Sequence, residues 1–213
     1  LQMFTIRREQ GRLREVAPLI KRFVEGTASS ATWRPGLALI YSDLGMEQNA
    51  RTEFEYLAAD DFARLPWDAL RPATLAYLSE VCAFLGDERR AATLYRLMKP
   101  YDGQNLVIGF AAACCGAVAR FLGILAAVQA DWSQAEMHFE DALTMNARMG
   151  AKPWLAHTQC HYANALLFRG LQADIARCNV LLDEALATAQ ALGMHALSSR
   201  IQTMKRAATD HTM

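Results

Sequence analysis

One spacing recurs along this chain and restricts the folds open to it. A small residue is followed seven positions later by a turn residue. Five positions beyond that comes a second small residue, and four further on an aromatic one. The clearest copy runs Gly123, Ala130, Ala135, Phe139, with Leu122 before it and Ala142 after it. The same offsets give Ala38, Gly45, Ala50, Phe54, and then Ser79, Gly86, Ala91, Tyr95. A fourth copy has Ala163 and Gly170, with its second half displaced three residues to Cys178, Leu182 and Ala185. A degenerate first copy holds Gly11, Val16, Ile20 and Phe23. The offsets suit two antiparallel helices. A small residue on the first lets the second approach, and the aromatic of the second fills the space. A single such hairpin cannot cover its own apolar face, so neighbouring hairpins must stack.

Composition agrees with a helical fold. Hydrophobic residues make up 53% of the 213 positions and charged residues 21%, enough apolar material for a packed core. Ala and Leu dominate, and most of the Gly and Pro fall between periodic segments. The expected class is all-α. The hairpins are placed at about 1–26, 31–60, 68–100, 109–150 and 152–193, with a terminal helix over 195–208, in one domain. In particular, Gly109 to Gly150 reads as two helices joined at Ala130-Asp131. The chain opens on Leu1 with a helix under way, and the expectation is a piece of a longer protein.

The markers resemble the tetratricopeptide repeat, which pairs Leu-Gly and a Tyr with a turn Gly, then an Ala and an aromatic four later. Leu122-Gly123 with Ala135, Phe139 and Ala142 is the best match. The family's Trp position holds Arg34, Leu75, Ala119 and Gln159, and its terminal Pro is absent. The turn markers Gly11, Gly45, Gly86, Ala130 and Gly170 are about 34, 41, 44 and 40 residues apart, against the family's usual 34. The resemblance implies a right-handed α-α superhelix of about five hairpins. The stretch from Tyr101 to Gly193, including "ARFLGILAA", "WSQAEMHFEDAL" and "LLDEALATAQALGM", also resembles C-terminal repeat regions of large bacterial regulators. Those proteins join a LuxR-type or adenylate-cyclase-like module to a P-loop ATPase. That implies a protein- or peptide-binding or sensor module in a multidomain regulator, or a small-effector domain controlling an attached ATPase.

In the resembling family the first helix of each pair lines a concave face. Transferred to this sequence, that face holds Glu80, Arg120, Ile124, His157, Cys160 and Asn164. Arg120 interrupts the most apolar stretch of the chain. It reads either as a structural ion pair or as an anchor for a carboxylate or phosphate. His157 and His161, four apart with Cys160 between them, share a helix face as a metal pair would, but no third ligand is identifiable. No cofactor is expected. No GxxxxGK[ST] phosphate loop occurs, Asp60-Asp61 reads as a solvated pair, and no catalytic constellation is apparent.

Lys plus Arg and Asp plus Glu are 22 each, so no basic excess points to direct nucleic-acid binding. Leu106 to Ala130 is about long enough to cross a bilayer, yet Arg120 inside it points to a buried helix instead. The five Cys (82, 114, 115, 160 and 178) fall in apolar, helix-like stretches and read as buried free thiols in the cytoplasm. Trp33, Trp67, Trp132 and Trp154 lie near helix starts and are expected to pack between repeats. Expected partners are a protein or peptide, other domains of the same polypeptide or a small effector, with a homodimer also open.

Overall fold

A computed structural model describes residues 2–26, 30–108 and 113–210. Most of these are helical. The order is α1 (Gln2–Glu9), α2 (Leu13–Gly26), α3 (Ser30–Asp43), α4 (Glu47–Leu57), α5 (Arg71–Leu85) and α6 (Glu88–Met98). A β-hairpin follows, β1 (Asn105–Ile108) and β2 (Ala113–Ala117). Then come α7 (Ala119–Val128), α8 (Trp132–Arg148), α9 (Lys152–Arg169), α10 (Ile175–Ala191) and α11 (His195–Asp210).

Each helix from α1 to α11 packs on its successor, and α3, α5, α7, α9 and α11 also pack each on the next of that set. The turn markers show why the pairs form. Gly11, Gly45, Gly86 and Gly170 have φ between 65° and 72°, the left-handed conformation that reverses the chain after a helix. Ala130 takes the same role at φ 55° despite its Cβ. Two of the second helices begin on an aspartate cap. Asp87 accepts from the Arg90 N–H at 3.0 Å and Asp131 from the Gln134 N–H at 3.2 Å.

The small-residue rule holds atom by atom in the best copy. A Cβ on Gly123 would stand 2.9 Å from Cδ1 of Phe139, so only glycine admits that ring. Phe139 is fully buried and stacks on Tyr162 of α9 at 5.1 Å between centroids. Burying such a ring stabilises by about 1.5–3 kcal/mol. Ala38, Ser79, Ala163, Ala50, Ala91 and Ala135 are likewise buried.

Of the helix expected from Gly109, residues 109–112 lie outside the described residues, 113–117 are a strand, and the helix begins at Ala119. Residues 105–108 and 113–117 form a two-stranded antiparallel sheet, so the chain is mostly rather than wholly helical. Gly116 sits at φ 78°, incompatible with a helix, and a Cβ there would lie 2.6 Å from Cβ of Trp154. Asn146 of α8 fixes the hairpin. Its Oδ1 accepts from the Ala117 N–H at 3.0 Å and its Nδ2 donates to Thr158 Oγ1 at 3.1 Å. On a strand, neighbouring side chains face opposite ways. Cys114 is accordingly exposed while Cys115 is buried, correcting the expectation that all five thiols are enclosed.

Trp67 also departs from its expected place between repeats. It is 82% exposed, with the Arg71 guanidinium 3.8 Å above its ring. Asp60, Asp61 and Phe62 form a left-handed turn, at φ 53°, 53° and 65°. The buried Phe62 ring, edge-on to Phe54 at 5.9 Å, offsets that strain.

Candidate functional site

The odd-numbered helices meet at a cavity of about 590 Å³. α9 contributes most, because His157, His161, Asn164 and Phe168 recur at helical spacing and share one face. α5 adds Glu80, Ala83 and Phe84, and α7 adds Ile124, Ala127 and Val128. Ser42 and Asp43 come from the end of α3, and Ala196, Leu197 and Arg200 from α11. α1 supplies Arg8 and Glu9.

Helix α1 is the unexpected participant. None of its residues is buried, yet its last turn bridges elements far apart in sequence. Arg8 donates through Nε to Asp43 at 2.6 Å and through Nη2 to Glu80. Glu9 meets Nε2 of His157 at 2.9 Å. Phe4 tilts against Tyr77 of α5 at 6.1 Å, and α1 touches α11.

Beneath the cavity lies a charged cluster. Arg120 is 1% exposed and donates through Nη1 to Glu80 Oε1 at 3.3 Å. The same Nη1 is 3.3 Å from Nδ1 of His161, and the guanidinium lies over Phe121 at 4.1 Å. Burial would raise the Glu80 carboxyl, but Arg8 and Arg120 on either side hold it far below the usual range. Burial also pulls the His161 imidazole well below its ordinary value, and Arg200 and Arg120 push it the same way, so the ring is neutral. Glu9 would rise through burial, yet His157 and Arg8 bring it below normal. The cluster is a chain of alternating charge from Asp43 through Arg8 and Glu80 to Arg120.

Of the residues proposed from the resemblance, Glu80, Ile124, His157 and Asn164 line the cavity together. Arg120 lies outside the lining, paired to Glu80 below it. Cys160 is also outside the lining. It is fully buried, with its Sγ 3.8 Å from the Met204 sulfur. Arg8, Glu9, His161 and Arg200 are lining residues the repeat offsets miss. Glu9 and Arg200 carry no marker. His161 had a signal of its own, the four-residue step from His157.

His157 and His161 do not form a metal pair. Their rings are 6.3 Å apart, and their nitrogens face Glu9 and two arginines. Among the described residues no group of three or more His, Cys, Asp or Glu could hold a metal ion. Burial pushes the Cys115 thiol up to about 11 and the Cys82 thiol up to about 12, which disfavours the thiolate of a reactive cysteine. No described helix is long and apolar enough to cross a membrane. The chain matches no protein-family model, no curated protein and no solved structure.

Proposed function

We propose that this chain is a helical-repeat interaction module, a right-handed superhelix of tetratricopeptide type whose inner face binds a peptide segment of a partner protein. The setting that fits is the cytoplasm, within a bacterial multidomain regulator of the LuxR or adenylate-cyclase type. The observation that carries the reading is α1 itself. An eight-residue helix of the same chain rests by its last turn on the face made by α5, α9 and α11. A surface that holds one helix through a few polar tips suits another of similar chemistry. Phe84 and Phe168, both exposed, stand at the cavity as apolar anchors.

The test is selection of peptides from a displayed library, followed by binding to two surface variants. Phe84→Ser with Phe168→Ser should abolish binding of the selected peptides. Met137→Ser with Val180→Ser, exposed but away from the cavity, should leave it intact. The reverse pattern sinks the reading.

A second reading has its own support. The cavity volume and the convergent polar groups Arg8, Glu80, His157, His161 and Arg200 suit a small effector whose binding biases an attached ATPase.

A further inference from the structure

His161 stands between two guanidinium groups. Nη1 of Arg120 is 3.3 Å from its Nδ1, and Nη1 of Arg200 is 3.4 Å from its Nε2. A guanidinium only donates, and a neutral imidazole has one N–H and one bare nitrogen. The two contacts are therefore not both hydrogen bonds. Protonating the ring would turn both nitrogens into donors and worsen the conflict.

Burial decides which contact is the bond. Arg120 is enclosed, and its Nε already has no partner. One hydrogen of its Nη1 goes to Glu80, and leaving the other to face an N–H would add a second unsatisfied buried N–H, at about 1–3 kcal/mol. The bare nitrogen belongs at Nδ1, toward Arg120. Nε2 then carries the proton and faces Arg200, which is exposed and able to turn. Two donors converge at the cavity wall with no acceptor between them.

The nearby carboxylates are already engaged. Glu80 takes Arg8 and Arg120, Asp43 takes Arg8, and Glu9 takes His157. Among the described residues none pairs with Arg200. The missing component is an anionic acceptor. One imidazole N–H and one guanidinium suit a monoanion, because Glu9, Asp43, Glu80 and Glu88 also border the cavity and would repel a dianion.

We propose that the cavity binds a carboxylate with an apolar body, seated between Nε2–H of His161 and the guanidinium of Arg200. Its hydrocarbon part lies against Phe84, Ile124, Phe168 and Leu197. The carboxylate belongs either to a free acid or to the C-terminus of a peptide, which present the same two oxygens. The inference rests on the pocket reading and specifies its ligand.

Titration calorimetry with four probes tests it: octanoate, 1-octanol, a short peptide ending in Leu with a free carboxylate, and the same peptide amidated. At least one acid should bind the chain about tenfold or more tighter than its neutral counterpart, a gap of about 1.4 kcal/mol. Octanoate alone identifies a free acid, and the peptide alone a chain terminus. Arg200→Met should erase that preference without lowering the melting temperature of the unliganded protein. If neutral probes bind as tightly as the acids, the carboxylate site is wrong and the pocket reading stands. If none of the four binds, both are wrong. A preference that survives in Arg200→Met also overturns the assignment.

Discussion

Glu9 and His157, 148 positions apart, meet at 2.9 Å between Oε1 and Nε2. With Arg8 on Asp43 and Glu80, this contact holds α1 against the inner face. Glu9→Gln keeps the shape and removes the charge. A hydrogen bond to a charged group is worth about 1.5–3 kcal/mol. Hydrogen exchange of the amides in Gln2–Glu9 should therefore quicken about tenfold or more, with α8 and α9 unchanged. Unaltered exchange in α1 would show that the contact holds nothing.

Glu80 serves two guanidiniums and Arg120 only one carboxylate, so their removal should not cost the same. Glu80→Gln leaves Arg120 without a counter-charge and Arg8 with Asp43 alone. Breaking a buried pair costs about 3–5 kcal/mol, and this change belongs at the upper end. Arg120→Met leaves Glu80 paired with Arg8 and removes the unpartnered Nε. Urea unfolding should rank Glu80→Gln as clearly the more destabilising. The opposite order would mean that Arg120, not Glu80, is the centre of the cluster.

Among the five turn markers, Ala130 alone is not glycine, yet it adopts φ 55°. A left-handed residue with a Cβ costs about 1–2 kcal/mol, while glycine loses about 0.4–1 kcal/mol more entropy on folding. Ala130→Gly should stabilise the chain by about 0.5–1 kcal/mol, raising the melting temperature by a few degrees. A lower melting temperature would contradict the assigned turn.

His161 makes stability depend on pH. Burial, with Arg200, Arg120 and His157, keeps the folded ring neutral against the opposing pull of Glu80, whereas the unfolded ring takes a proton near pH ~6.5. Between those points the unfolded state binds more protons, so stability falls as pH drops below ~6.5. His138, lowered by burial, contributes with the same sign. Glu80 and Glu9 act the same way at lower pH, because their depressed carboxyls must be protonated as acid is added. Denaturant midpoints measured from pH 8 to pH 5 should decline in the wild type and decline less steeply in His161→Gln, which keeps His138. An equal slope in both proteins would remove His161 as the cause.

The helical pairs were legible because their cause is local. Gly123 under Phe139 and Gly86 at its turn follow from contacts within one hairpin, and spacing alone exposes them. The β-hairpin was not legible. The run Ala113 to Ala117 contains residues that a helix accepts, and only Gly116 against Trp154, with Asn146 on the Ala117 N–H, makes it a strand. Both partners lie far along the chain. The cavity divided in the same way. Glu80, Ile124, His157 and Asn164 follow from the first-helix rule. Arg8, Glu9 and Arg200 reach it only because α1 and α11 come together, and no short-range period encodes that meeting. The rule places both Arg120 and Cys160 three positions before a marker, where the side chain points beneath the face rather than onto it.

The bridge made by α1 has a mechanical consequence. A row of helices that touch only their neighbours can peel open from either side, each helix leaving at the expense of one interface. Here Arg8 and Glu9 tie α1 to α5 and α9, and α1 also touches α11. Peeling from the α1 side and from the α11 side must both break the contact between α1 and α11. The row behaves as a buckled belt, in which opening the clasp loosens every part at once.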